Sequence, residues 1–93
     1  MTNAVRALLD RPYELDPMVS LRPEPFGALA YHFGNRRLSF LRNHDMVRVV
    51  ESLGAHDSVA DALEAAGVER RRWPSFEKAL ATLESSEMIR VRA

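Results

Sequence analysis

The sequence predicts an α+β domain in which a three-stranded antiparallel sheet is followed by three helices, a winged helix-turn-helix-like arrangement. Short stretches between residues 19 and 41 alternate apolar and polar side chains, which is typical of strands. Between residues 43 and 83, apolar side chains recur at helical spacing. A chain of 93 residues accommodates one domain with one modest core. We expect residues 1–12 to form a flexible N-terminal arm and residues 13–93 to form the domain.

Three strands are predicted, each bounded by turn-forming residues. The first is Val19–Arg22, which lies between two prolines and is therefore short. The second is Gly27–Phe33 and the third is Arg36–Leu41. The dipeptide Gly34-Asn35 between them is typical of a two-residue hairpin turn.

The predicted turn determines which residues face each other across the hairpin. It places Tyr31 opposite Leu38, and it brings large apolar side chains onto one face of the sheet. We expect that face to be buried, with the core residues Leu29, Tyr31, Phe33, Leu38 and Phe40. A two-residue turn also predicts that three residues of the third strand turn their backbone groups away from the second strand. These residues are Arg37, Ser39 and Leu41.

The third strand has an unprotected edge. It contains no proline and no inward-pointing charge that would discourage another chain from pairing with it. An extended peptide can add to such an edge as a further strand. The sequence therefore predicts a peptide-binding strand made of Arg37, Leu38, Ser39, Phe40, Leu41 and Arg42. The N-terminal arm or a second copy of the chain, as a homodimer through the third strand, is the alternative cover for this edge when no peptide is bound.

Three helices are predicted from capping residues and apolar stripes. Asn43 and Ser58 are suitable N-caps for the first two helices, and Pro74 fits the first turn of the third. Glycines follow the first two helices, as expected at helix ends. The apolar stripes are Met46, Val49, Val50 and Leu53, then Val59, Ala62, Leu63 and Ala66, then Phe76, Ala79, Leu80 and Leu83. Residues 88–91 are expected to pack back as an extended tail.

The composition gives no support for catalysis or for a bound cofactor. The chain has no cysteine, and its histidines, His32, His44 and His56, lack the clustered ligands that a metal site needs. No carboxylate pair, nucleophile elbow or phosphate-binding glycine loop is present. No apolar run approaches the ~20 residues of a membrane span. We expect a cytoplasmic protein that is not an enzyme and binds no metal.

The run Arg70-Arg71-Arg72, followed by Trp73, is the most concentrated charge in the sequence. It lies where the recognition helix of a helix-turn-helix protein would begin, which motivates an alternative function as a winged-helix DNA-binding protein. The formal net charge of zero argues against nucleic acid as a partner. The other interpretation of these arginines is a solvated helix entrance.

The segment Leu21–Phe33, followed by Arg37–Leu41, resembles the peptide chaperones of mycofactocin systems. These belong to the PqqD-like RiPP recognition elements, which bind ribosomally made and later modified peptides. The resemblance covers residues 13–91, and it implies a PqqD-like fold without catalytic activity. It implies binding of the leader of an MftA-like precursor peptide, and delivery to an MftC-like radical SAM maturase during mycofactocin biosynthesis.

The resemblance also implies which residues contact the leader. The leader would add to the third strand and lie against the third helix, where the matching positions are Trp73, Phe76, Glu77 and Leu80. Arginines at the rim would steer an acidic leader towards the site. These are Arg36, Arg70, Arg71 and Arg72, with Arg37 and Arg42 of the strand itself.

Overall fold

The computed structural model describes residues 8–92. Its strands are β1 (Tyr13–Leu15), β2 (Val19–Glu24), β3 (Gly27–His32), β4 (Leu38–Leu41) and β5 (Ile89–Val91). Its helices are α1 (His44–Ser52), α2 (Val59–Ala65) and α3 (Trp73–Ser85), with 3₁₀ turns at Leu53–Ala55 and Arg70–Arg72. The predicted α+β class, with a three-stranded antiparallel sheet followed by helices, is confirmed. The predicted third strand is β4.

Strands β2, β3 and β4 form the main sheet in that order. Both neighbouring pairs are antiparallel, and the register places Tyr31 opposite Leu38, and Leu29 opposite Phe40. This is the register that the sequence predicts. Which residues face each other across the hairpin therefore follows from the sequence alone.

The buried face of this sheet is the opposite of the predicted one. Ala28 and Ala30 are each 1% exposed, whereas Leu38 is 60% exposed and Phe33 is 59% exposed. Helix α1 packs against β3. It already fills the interior with its own large side chains, Met46, Val49 and Val50. Close approach of helix and strand therefore requires small residues on the inner side of β3.

The β3–β4 turn also differs from the predicted two-residue turn. The N–H of Arg36 donates to the carbonyl of His32 (2.8 Å), and the N–H of His32 donates to the carbonyl of Arg37 (3.0 Å). Nδ1 of His32 accepts the N–H groups of Gly34 and Asn35, at 3.0 and 3.1 Å. The His32 side chain thus holds a wider turn, and Phe33 and Arg36 do not form the expected hydrogen-bonded pair.

The wider turn changes, by one position, which residues of β4 direct their backbone groups to β3. Because His32 bonds to Arg37, and bonded pairs recur at every second residue, Ser39 and Leu41 direct their backbone groups to β3. The N–H of Phe33 donates to Met18 on the β2 side (2.8 Å), which agrees with this phase. The prediction that Arg37, Ser39 and Leu41 turn their backbone groups outward is therefore wrong. Leu38 and Phe40 do so instead.

A second, two-stranded sheet pairs β1 with β5. The predicted extended tail is thus β5, but β1 was not predicted from the sequence. Tyr13 is 1% exposed and its hydroxyl donates to Glu84 on α3 (3.0 Å), which fixes β1 to the helical layer. Of the predicted N-terminal arm, residues 1–7 lie outside the described residues. Leu8 is buried in the core.

The helices begin at the predicted capping residues. The Asn43 side chain accepts the N–H of Met46 (2.7 Å), and the Ser58 hydroxyl accepts the N–H of Asp61 (3.1 Å). Such caps satisfy backbone donors that the first helical turn leaves unpaired. Gly67 follows α2 with a φ of +75°, the left-handed conformation that glycine adopts without strain.

Candidate functional site: the β4 edge and its groove

A groove of about 490 Å³ lies between the free edge of β4 and helix α3. Helix α1 contributes to one end of it. We call it the β4–α3 groove, and it is lined by Leu38, Ser39, Phe40, Leu41, Arg42, Asn43, Met46, Ala79, Thr82 and Leu83. It contains the whole of β4, which is the strand that the sequence predicts to bind a peptide.

The backbone of β4 is open towards the groove. β4 is the last strand of the main sheet, so one of its edges has no neighbouring strand in the part of the chain that the structure describes. The phase of the ladder directs the backbone groups of Leu38 and Phe40 to this open edge. Two residues therefore offer an N–H and a carbonyl each to an incoming chain.

Polar contacts fix the beginning of β4 to the end of α3. A guanidinium nitrogen of Arg37 donates to the carbonyl of Ser85 (3.4 Å), and the Asn35 side-chain amide donates to the carbonyl of Ser86 (3.2 Å). The hydroxyls of Ser39 and Ser86 lie 3.5 Å apart. These contacts connect the two walls of the β4–α3 groove at one of its ends.

The predicted helix-wall residues do not line this groove. Trp73, Phe76 and Leu80 are 6%, 2% and 0% exposed and belong to the core, and the Trp73 indole N–H donates to the carbonyl of Val68 (2.9 Å). The helical wall is formed by Ala79, Thr82 and Leu83 instead. Of these, Ala79 and Leu83 belong to the predicted apolar stripe of this helix, and their i, i+4 spacing was the available signal.

Glu77, the remaining predicted wall residue, is also buried. It is 7% exposed, and it has no hydrogen-bonding or ion-pairing partner among residues 8–92. Loss of solvent around its carboxyl group raises the pKa of Glu77 above the usual value. The folded state is therefore less stable when Glu77 is ionised than when it is protonated.

The arginines that the sequence predicts as an electrostatic rim fall into two groups. Those of the run 70–72 are ion-paired: Arg70 to Glu64 (3.5 Å), Arg71 to Glu69 (3.2 Å) and Arg72 to Asp45 (2.9 Å). Hydrogen bonds from Arg72 and then Arg48 lower the pKa of Asp45. The positive charge of the run 70–72 is thus partly compensated by carboxylates of the same chain.

The second group comprises Arg36, Arg37 and Arg42, which lie at the ends of β4. None of them has an ion-paired carboxylate within residues 8–92. The guanidinium of Arg42 lies 5.9 Å from the centre of the Phe40 ring. The structure therefore places uncompensated positive charge next to the groove.

The titratable groups within residues 8–92 give no sign of a metal site. Over residues 8–92, no three of the His, Cys, Asp and Glu side chains come together as a metal site would require. His32 supports the β3–β4 turn, and Nε2 of His44 lies 3.0 Å from the carbonyl of Pro25. No helix in the described region has the length and apolarity to cross a membrane.

The chain is thus a small α+β domain with an open strand edge beside an apolar groove, and its relatives are peptide chaperones. A sequence model of the peptide chaperone MftB family matches residues 12–90, and the chain belongs to this family. Its role is therefore non-catalytic.

Three relatives share the name Peptide chaperone MftB, and each aligns over 80 residues, or 86% of this chain. The protein of Mycobacterium ulcerans is 48% identical over 73% of its own length. That of Mycobacterium tuberculosis is 44% identical over 73%, and that of Mycolicibacterium smegmatis is 48% identical over 78%. No solved structure matches the chain at a significant level.

Proposed function

We propose that this chain binds the leader of a ribosomally made precursor peptide as an additional strand on β4. It would then deliver the peptide to a radical SAM maturase of the MftC type, as part of mycofactocin biosynthesis. The observation that carries the proposal is the outward direction of the Leu38 and Phe40 backbone groups at the edge of β4. The family's name supports a peptide as the partner.

The groove supports binding of an extended peptide. A strand paired with β4 directs alternate side chains to opposite faces of the sheet. One set of peptide side chains would enter the β4–α3 groove, above Leu41, Met46 and Leu83. Backbone hydrogen bonds would supply affinity, and this apolar floor would select aliphatic side chains.

The charges near β4 support an acidic leader. Arg36, Arg37 and Arg42 lie at the two ends of the strand without carboxylate partners in the described chain. Charges at the rim of an interface act mainly on the association rate. The leader that fits this site has aliphatic residues at alternate positions and carboxylates at both ends.

The test is a pair of substitutions at Phe40. Phe40→Pro removes an outward N–H without removing a bond to β3, and proline is tolerated on an edge strand in this orientation. Phe40→Ala removes the ring alone. We expect Phe40→Pro to weaken binding of an MftA-like leader by about tenfold more than Phe40→Ala, since one backbone hydrogen bond and close approach are lost. Calorimetric titration measures both affinities, with Leu38→Pro as a second outward position.

Ser39→Pro is the matched control, because the N–H of Ser39 faces β3. We expect it to lower thermal stability even without peptide. Equal peptide affinity for folded Phe40→Pro and Phe40→Ala would contradict strand addition.

Two alternatives, binding of duplex DNA and a homodimer through β4, have less support. In the duplex-DNA alternative, Arg70, Arg71 and Arg72 would contact phosphates, but each already pairs with a carboxylate. A second copy of the chain would compete for the open edge of β4 when no peptide is present. Sedimentation equilibrium with and without leader would show such a dimer and its dissociation.

A further inference from the structure

The face of the main sheet that points away from the helices is apolar and exposed. All five large apolar side chains that are exposed within residues 8–92 lie on it or at its margin. They are Met18, Phe26, Phe33, Leu38 and Phe40. We call this surface the outer face. Single exposed apolar residues are common, but a contiguous group of this kind marks an interaction surface.

The apolar side chains of the outer face contact one another. The rings of Tyr31 and Phe33 meet edge to face at 5.0 Å, and those of Phe26 and Phe40 lie 5.9 Å apart. A depression of about 220 Å³ lies beside the Tyr31–Phe33 pair, and Arg22, Leu29 and Leu38 also line it. The outer face therefore carries two aromatic pairs that are in contact within the folded chain.

The charges on the strands and turns of the main sheet are mostly positive. Between residues 18 and 42 the sequence has four arginines and a single carboxylate, Glu24. Glu24 pairs with Arg22 at 2.7 Å. The whole chain has no net charge, so the excess of positive charge is local to this sheet. A partner with carboxylates around an apolar centre complements this surface.

A second copy of the chain does not complement it. A twofold dimer brings two copies of the same predominantly positive surface together, so their net charges would repel each other. Like charges brought together at an interface are costly. The leader peptide is also a poor occupant for most of this face, since it would pair with β4 and reach no further than Leu38 and Phe40.

We propose that the outer face docks the modifying enzyme that receives the peptide, through an apolar patch of that enzyme surrounded by carboxylates. This inference rests on the proposed function. Leu38 and Phe40 border both the outer face and the β4–α3 groove. An enzyme on the outer face would therefore lie directly beside a peptide in the groove, without displacing it.

The test compares two binding reactions for the same variants. Met18→Ser/Phe33→Ser removes two exposed apolar side chains at the β2–β3 end of the outer face, away from the β4 edge. We expect its affinity for an MftC-like radical SAM enzyme from the same genome to fall at least about tenfold. Its affinity for the leader should stay within about twofold of the original value. Interferometry and calorimetry measure the two affinities.

Charge variants and a fold control complete the design. Arg36→Gln, in the turn next to the outer face and without an ion-paired carboxylate among residues 8–92, should weaken enzyme binding about threefold and reduce its salt dependence. Arg70→Gln, which is also exposed but lies off this face, should leave it unchanged. Thermal melting shows that each variant is folded, and Phe33→Ser alone replaces the double variant if that one is unstable.

The outcomes separate the inference from the proposed function. If the double variant binds both the leader and the enzyme as tightly as the original chain does, the inference is overturned and the proposed function stays intact. Loss of leader binding in the double variant also overturns it, because the outer face would then belong to the peptide site. A dimer of the original chain that the double variant abolishes, with enzyme affinity unaffected, would assign the face to a second copy. Absence of leader binding by the original chain rejects the proposed function itself.

Discussion

The two faces of the main sheet have the same backbone and opposite compositions. On the inner face, Ala28 and Ala30 lie below the helices and are almost fully buried. On the outer face, Phe33, Leu38 and Phe40 are more than half exposed. Residue size is therefore inverted relative to the usual expectation that large apolar side chains lie inside. The comparison teaches that the space available beneath a sheet, and not residue size, decides which face is buried.

The strongest test of this comparison uses two leucines of β4. Leu41 is 2% exposed on the inner face and Leu38 is 60% exposed on the outer face. We expect Leu41→Ala to lower the free energy of unfolding by about 3 kcal/mol, because it leaves a cavity in the core. Leu38→Ala should change it by less than about 0.5 kcal/mol. Urea denaturation measures both, and similar losses for the two variants would contradict the assignment of faces.

The next largest effect is expected at Gly27, where β3 begins close to the end of β4. A Cβ atom at this position would lie 2.1 Å from the carbonyl oxygen of Leu41, and Gly27 has a φ of +151°. We expect Gly27→Ala to lower the free energy of unfolding by about 2 kcal/mol or more, since the backbone of β4 must move.

Gly67 supplies the matched control for Gly27. It also has a positive φ, +75°, but a Cβ atom added there would have no heavy atom within 4 Å among the described residues. Gly67→Ala should lower the free energy of unfolding by about 1 kcal/mol, because alanine adopts the left-handed backbone conformation less readily than glycine. Equal losses at the two glycines would show that contact with Leu41 does not limit how closely β3 and β4 approach.

The smallest effect is expected at Glu77, a residue of α3 that is 7% exposed. Desolvation raises the pKa of Glu77 in the folded state, so between the ordinary and the raised pKa the folded state binds more protons than the unfolded state. Above both values the ionised carboxyl group lowers the stability of the folded state. Glu77→Gln should therefore increase stability at pH 7, by less than about 1 kcal/mol.

The pH dependence of the Glu77→Gln effect tests its electrostatic origin. The gain should shrink as the pH falls through the raised pKa, and should vanish below the ordinary Glu value of about 4. Denaturation curves of both proteins at about pH 7 and about pH 3.5 measure the difference. A gain that persists unchanged at the lower pH would indicate a packing effect, since the carboxyl group is then neutral in both states.

The sequence predicted those elements that depend on interactions between residues close together in the chain. The caps at Asn43 and Ser58 were predictable because each side chain bonds to a backbone N–H three residues ahead. The β3–β4 register was predictable because alternation and turn position agree. β1 was missed because Tyr13–Leu15 is only three residues long and pairs with Ile89–Val91 at the far end of the chain.

The candidate site was predictable in part for the same reason. The edge strand follows from strand order, whereas the phase of its hydrogen bonds depends on the His32 side chain, which accepts two N–H groups in the turn. The helical wall was displaced from Trp73, Phe76 and Leu80 to Ala79, Thr82 and Leu83 because the distance between α3 and β4 is a tertiary property. Helical periodicity gives the faces of α3 but does not say which face meets the groove.

The pairing of β1 with β5 has a mechanical consequence. Tyr13 faces Val91 and Leu15 faces Ile89, so residues 12 and 92 lie side by side at one end of the ladder, where the N–H of Arg92 donates to the carbonyl of Pro12 (2.8 Å). A tension applied between residues 12 and 92 would open this ladder one pair at a time, as in unzipping, and would not shear all pairs together. The ion pair of Glu14 with Arg90 (2.8 Å) would be among the first contacts to part. Under load, the domain should therefore yield at low force and from its ends inward.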